Sequence, residues 1–294
     1  MKKIFKAKKF IGIVLMATFS LGCVSIPPQT TTTQLPSTTS VPTTIPPTTT
    51  PVPPSETIPP ENNVKIIFLH HSTGSCIYDG GVGEWFENYN NTKGVSYQIT
   101  ARDYPANGYP WQNYPYDYWN IWVNHGGDTL YRGQDTLEIL TEDYDVVVWK
   151  HCFPVSYIEA DTGDPDISSS RKSIKNYKLQ YNALKEKMRQ FSNSIFIVWT
   201  GAALIRDETT EENAQRARQF FNWVKNEWDE EGDNIYIWDF YELEAEGGFY
   251  LRDKYASGDS HPNSLFSQRV APYFCQRIVD VIEGRGDSSG MEGK

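Results

Sequence analysis

Five short apolar runs, with amphipathic helical patterns between several of them, predict an α/β domain: a three-layer arrangement with a parallel sheet in the middle and helices on both faces. The runs occupy residues 64–69, 95–101, 144–151, 194–200 and 234–240. The first of them is a short apolar run, as expected of a strand covered on both sides. No internal repeat interrupts the pattern.

The first run continues into polar residues and reads V-K-I-I-F-L-H-H-S-T-G over residues 64–74. Six positions rich in Ile, Phe and Leu mark a buried strand, and the abrupt change at His70 marks its end. Ligands of open α/β sheets bind beyond the carboxyl ends of the strands. Ser72 stands there, on a turn into a helix, where a nucleophilic hydroxyl would sit. It could equally cap that helix.

Between the third and fourth runs, Ile174, Tyr177, Tyr181, Leu184, Met188 and Phe191 recur at steps of three and four, which is one face of a helix. Ala214, Ala217, Phe221, Val224 and Trp228 do the same between the fourth and fifth, with Thr209 and Glu212 as a capping-box start. A last helix is expected over residues 264–283, with Val270, Phe274, Ile278 and Val281 inward. Residues 102–143 form a long connection crowded with aromatics, from Tyr104 through Tyr109, Trp111, Tyr114, Tyr116, Tyr118 and Trp119 to Trp122. Long loops on a rigid scaffold tend to carry function, and aromatic faces suit sugar rings. An aromatic mini-core under the loop is the competing reading. His71, Tyr109 and Trp111 are the expected substrate-binding residues. Asp161, Asp164 and Asp166 lie in a second insertion that reads as a solvated loop.

The ends of the chain do not belong to this domain. Five lysines precede an apolar run over residues 10–22, the form of a signal peptide (1–22) and too short for a confident membrane span. Cys23 follows in a Leu-Gly-Cys context suited to lipidation, so contact with a membrane is expected through a lipid anchor alone. Residues 23–61 form a Thr/Pro-rich linker with too little apolar surface to offset its ordering entropy. In an extended conformation of about 3.1 Å per residue it would reach on the order of 100 Å. The domain is expected over 62–284, with a disordered tail over 285–294. The expected location is extracytoplasmic, at the cell surface.

Loss of the five leader lysines would take the net charge from −10 to −15. That argues against a nucleic-acid partner, whose phosphates need clustered Lys and Arg. Cys76, Cys152 and Cys275 are too few for a disulfide scaffold. A Cys76–Cys152 bridge is one option, since both lie just past neighbouring strands; Cys275 reads as a buried helix residue.

Near the other end, residues 257–263 read S-G-D-S-H-P-N and open the last helix. A serine nucleophile needs a base to take its proton and a carboxylate to fix that base's tautomer. His261 and Asp259 can supply both, from a loop at the same sheet edge as Ser72. Adjacent histidines such as His70 and His71 point to opposite faces of a strand, and no HExxH spacing occurs. Neither a metal nor another cofactor is called for.

On these residues the chain resembles the SGNH (GDSL-type) hydrolases. The resemblance spans most of residues 64–283, with His70-His71-Ser72 in place of the family's Gly-Asp-Ser. Gly258-Asp259-Ser260-His261-Pro262-Asn263 takes the place of its Asp-x-x-His-Pro. It implies a flavodoxin-like five-stranded parallel sheet in the order 2-1-3-4-5, with Ser72, Asp259 and His261 catalytic. It also implies an oxyanion hole formed by the Ser72 N–H, Gly108 and, where the family has asparagine, His151. Asp259 departs from the pattern by standing two rather than three positions before His261. The expected function is a metal-independent extracytoplasmic serine esterase that removes O-acyl groups such as acetyl from a polysaccharide or glycan, or acts on a small acyl ester. The alternative is a non-catalytic carbohydrate-binding surface lipoprotein on the same fold.

Overall fold

Each apolar run becomes one strand of a parallel sheet in the computed structural model, which describes residues 62–294. The expected signal peptide, Cys23 and the Thr/Pro-rich linker lie outside the described residues. The strands are β1 (Asn63–His70), β2 (Ser96–Asp103), β3 (Val146–Trp149), β4 (Ile195–Trp199) and β5 (Ile235–Trp238). Their order is β2-β1-β3-β4-β5 and every pairing is parallel. The chain therefore leaves β1 toward β2 on one side and returns to β3 on the other. That reversal is a topological switch point, and ligands of such sheets bind beyond the carboxyl ends of the strands that flank it, here β1 and β3.

Eight α-helices surround the sheet among the described residues: α1 (Thr73–Tyr78), α2 (Val82–Lys93), α3 (Tyr114–Trp119), α4 (Leu137–Asp143), α5 (Ile174–Met188), α6 (Glu211–Trp223), α7 (Phe240–Ala245) and α8 (Ser264–Ile282). The α1, α2 and α8 helices pack together on one face, where Phe274 of α8 lies 4.8–4.9 Å from the rings of Phe68, Trp199 and Trp238. On the other face α3 and α5 bring Tyr118 and Tyr181 against Trp149. Phe68 pairs with Val148 across the β1–β3 ladder, so Trp149 points to the face opposite Phe68. Among the described residues no helix is long and apolar enough to cross a membrane.

Three expectations need correction. The connection over 102–143 is not a bare loop: it holds α3, a π-helical turn over Asn120–Asn124, and α4. The Asn113 side chain caps α3 by accepting from the Tyr116 N–H at 3.0 Å. The N-cap of α6 is Thr210, whose hydroxyl accepts from the Asn213 N–H at 3.2 Å, so the start falls one residue after the predicted Thr209. Residues 285–294 pack on the domain instead of forming a disordered tail. The Met291 carbonyl accepts from the Asp239 N–H at 2.9 Å and the Glu292 carbonyl from Trp238 Nε1 at 3.0 Å. The buried Arg277 guanidinium donates to the Gly286 carbonyl and to Ser289 Oγ. A stretch this rich in Gly, Ser and Asp has few apolar side chains of its own, and backbone carbonyls, Ser289 Oγ, the Arg285–Asp280 ion pair and the packed Met291 hold it.

Candidate active site

Ser72 is separated from β1 only by His71 and precedes α1, so the turn exposes it at the carboxyl edge of the sheet. Behind it the backbone of α1 lies close to β1. A Cβ at Gly74 would fall 2.4 Å from His70 Cβ and 2.9 Å from Lys150 Cδ, so only glycine lets the helix start this near the strands. Past β3 the chain reads Lys150-His151-Cys152, and strand alternation separates these three. Lys150 and Cys152 turn toward the edge where Ser72 lies. His151 turns into the core.

The sulfur of Cys152 is the meeting point. Ser72 Oγ lies 2.9 Å and Thr73 Oγ1 3.0 Å from Cys152 Sγ. The His261 side chain also reaches Cys152, and each of the two moves the other's pKa. Its Nδ1 is 3.0 Å from Asp259 Oδ2, which leaves Nε2 as the nitrogen facing the thiol. Ser72 and His261 share no direct hydrogen bond among the described residues.

The loop carrying Asp259 and His261 is tied at both ends. The Ser257 N–H donates to the His261 carbonyl at 2.9 Å, and the Asn263 N–H to the Tyr255 carbonyl at 2.7 Å. Asn263 also caps α8, accepting from the Phe266 N–H at 3.0 Å. Gly258, at φ 114°, makes the turn that bends Asp259 back over His261. Asp259 then accepts from the His261 backbone N–H through Oδ1, also at 3.0 Å. The two-residue spacing is enough for a carboxylate to reach Nδ1. Phe153 packs edge-on against the imidazole, with ring centroids 4.9 Å apart.

Charge at this edge is unusual. Burial alone would raise the Cys152 thiol, but the Lys150 ammonium and hydrogen bonds from His261, Ser72 and Thr73 pull it down to about 5. His261 moves the other way: its bond to Cys152, together with that to Asp259, outweighs burial and raises it to about 9. The bond to His261 in turn holds Asp259 below its usual range. Lys150 is fully buried, with Nζ 3.5 Å from the His71 carbonyl, and burial lowers its pKa. Burial likewise raises Glu244 well above the ordinary carboxylate range; its Oε2 accepts from the Ala203 N–H at 2.7 Å. His70 is pushed down to about 4 and His71 is lowered, both chiefly by burial, so both rings are neutral near pH 7.

Ser72, Asp259 and His261 thus come together at one edge, as the sequence predicts. His151 does not join them. Its ring is fully buried among Tyr114, Tyr118, Trp149 and Tyr181, with centroids 5.3–5.7 Å away, and neither nitrogen has a partner among the described residues. It cannot serve as an oxyanion donor from there. Gly108, with φ 94°, is exposed in the loop after β2, and its N–H has no partner among the described residues. Cys76, Cys152 and Cys275 are all free thiols, so the Cys76–Cys152 bridge is not formed.

The aromatic segment is mostly a mini-core. Tyr104, Tyr109, Tyr114, Tyr118, Trp119 and Trp122 are buried, and the Tyr109 hydroxyl accepts from Asn120 Nδ2 at 3.0 Å. Tyr109 therefore offers no open face to a sugar. Trp111 is 41% exposed, with Lys172 Nζ 5.9 Å from its ring centroid, and it packs edge-on to Tyr114, which also lies against His71. Sequence reasoning weighed Cys152 only as half of a disulfide and missed Thr73 as part of the site. The alternation of Lys150 and Cys152 just past β3 was the available signal.

No family model and no curated protein matches the chain. Among solved structures it is similar to one described as a gut microbial diltiazem-metabolizing enzyme, at 12% identity and a TM-score of 0.45. The match covers 78% of this chain and spans about half, 49%, of the other.

Proposed function

We propose that this protein is an extracytoplasmic serine esterase of SGNH type, acting on O-acyl (acetyl) esters of a polysaccharide or glycan. The observation that carries the reading is the convergence of Ser72, from the end of β1, and the His261–Asp259 pair, from the head of α8, on a single atom. Ser72 is the exposed member and attacks the ester carbonyl. His261, oriented by Asp259, moves protons to the departing alcohol and from the incoming water. The Ser72 and Gly108 N–H groups stabilise the oxyanion. Trp111 supplies a stacking face for a sugar ring beside His71. Lipid attachment at Cys23 and the Thr/Pro-rich linker would hold the domain away from a membrane, within reach of surface glycans.

A second reading, a non-catalytic carbohydrate-binding surface protein, is favoured by the burial of His151, which leaves the oxyanion hole without a third donor. Loss of one such donor costs about 2.7–4 kcal/mol of transition-state stabilisation. Acetate release from acetylated xylan, compared between the wild-type protein and Ser72→Ala, separates the two. The esterase reading expects turnover that Ser72→Ala reduces by at least about 10³-fold. Glycan binding without turnover, unchanged in the variant, supports the second reading and overturns the first.

A further inference from the structure

The esterase reading joins Ser72 to His261, yet a sulfur stands between them. We propose that Cys152 is a catalytic residue of this site, a thiolate that accepts the Ser72 hydroxyl proton as the serine attacks. The proposal rests on the esterase reading and deepens it.

Three observations support it. The contacts of Ser72 Oγ and Thr73 Oγ1 with Cys152 Sγ, at 2.9 and 3.0 Å, suit hydroxyls that donate to an anionic sulfur. The second observation is charge. A fully buried ammonium needs a counter-charge, and Lys150 turns to the same edge as Cys152. Every element packed around the sulfur contributes a group. Lys150 comes from the end of β3, His71 from the end of β1, Cys76 from α1, Tyr114 from α3, Glu244 from α7, and His261 with Asp259 from the loop before α8. Burial keeps His71, Tyr114 and Glu244 neutral and raises the Cys76 thiol. The groups facing Cys152 that can carry positive charge are thus His261 and Lys150, the latter with its pKa lowered by burial, and Cys152 is the anion set between them.

The third observation is depth. Cys152 is only 2% exposed and lies beneath the exposed Ser72. An ester entering from solvent meets the oxygen first, and the sulfur is set to receive a proton rather than to attack.

The resting site is then Ser72–OH, Cys152–S⁻ and His261–H⁺, with acid and base already in place. In acylation the bond from Oγ to the carbonyl carbon forms while the Oγ proton passes to Sγ. Collapse of the tetrahedral intermediate breaks the bond to the alkoxide, which takes the Nε2 proton and leaves as the alcohol. In deacylation neutral His261 takes a proton from water as the hydroxyl adds to the acyl carbon. The bond to Oγ breaks, and Oγ recovers its proton from Cys152–SH. Ester and water give acid and alcohol, and the thiolate–imidazolium pair is restored.

Two measurements on the full chain in detergent test this. The first is the thiolate ultraviolet titration of wild type minus Cys152→Ser, which expects a midpoint of about 5. A midpoint near the ordinary thiol value of 9.0 overturns the proposal whether or not any ester is hydrolysed. The second is the pH profile of kcat/KM for acetate release from ethyl acetate, whose poor leaving group needs an acid. Wild type is expected to give a bell with limbs at about 5 and about 9. In Cys152→Ala and Cys152→Ser kcat/KM falls by about 10²–10⁴-fold, leaving one rising limb in the ordinary imidazole range of about 6.5. A folded Cys152→Ser that keeps the bell overturns the proposal while leaving the esterase reading standing. A low thiol midpoint with no ester turnover in wild type overturns the esterase reading, and the proposal with it.

Discussion

Gly74→Ala is a small perturbation whose effect can be worked from the geometry. The added Cβ would sit 2.4 Å from His70 Cβ and 2.9 Å from Lys150 Cδ, inside a wall made by β1 and the end of β3. Lys150 is a chain that can bend, but His70 Cβ is fixed to the strand. Restoring an ordinary contact of about 3.4 Å requires the start of α1 to move out by about 1 Å. The Ser72 and Thr73 hydroxyls would move with it, away from contacts of 2.9 and 3.0 Å to Cys152 Sγ. A misplacement of about 1 Å at reacting groups costs on the order of 10²-fold in rate. Overpacking costs about 1–3 kcal/mol, offset by up to about 1 kcal/mol from alanine's better helix propensity. The net loss of about 0–3 kcal/mol lowers Tm by up to about 12 °C for a domain of this size. The assay is kcat for an acetyl ester together with thermal unfolding. Gly83→Ala in α2 is the control, because a Cβ there meets nothing within 4 Å. It should leave kcat unchanged and hold or raise Tm. If Gly74→Ala turns over ester like wild type at an unchanged Tm, the close approach of α1 to the strands does not set the site.

Asp259→Asn removes the acceptor that orients His261 Nδ1, so kcat should fall by at least about 10²-fold, with the alkaline limb of the profile moving below about 9. Trp111→Ala should raise KM for an acetylated oligosaccharide several-fold while leaving kcat/KM for p-nitrophenyl acetate unchanged; equal effects on both would remove the stacking role. Asp117 is fully buried, and burial raises its carboxyl from 3.8 to about 8 despite bonds from backbone N–H groups. The folded state therefore holds this proton more tightly than the unfolded one. Its contribution to stability is complete below pH 3.8 and lost as pH rises through about 8, on the order of 4 kcal/mol by pH 7. Denaturant titrations across this range should show the decline in wild type and a flatter curve in Asp117→Asn. Because the three thiols of the domain are free, a reductant should leave Tm unchanged.

The sheet was legible because most of its strands are buried on both faces: β1 from Ile66 onward and β3 through β5 are apolar runs, while β2 at the edge is half-exposed. The long helices were legible from their periodic faces, as at Tyr177, Tyr181, Leu184 and Met188. Short helices left no such trace. The α3 and α7 helices have six residues each, less than two turns, and their starts depend on the caps Asn113 and Asp239. Residues 285–294 were misread because the donors that hold them, the Arg277 guanidinium, Trp238 Nε1 and the Asp239 N–H, meet the segment only in the fold. At the site, Ser72, Asp259 and His261 could be read from their places at the ends of elements. The role of Cys152 could not, because the charge on its sulfur depends on Lys150, His261 and two hydroxyls that come together only in the fold. His151 was misassigned by counting positions past β3 without applying the alternation that turns it inward.

Everything proposed for this site depends on Ser72 being the nucleophile of an ester hydrolase. The most direct test is treatment of the folded protein with a fluorophosphonate, followed by mapping of the modified residue. One phosphonate is expected on Ser72, formed in wild type and absent from Ser72→Ala. A label on any other residue, or none at all from a preparation that is hydrolysing ester, contradicts it.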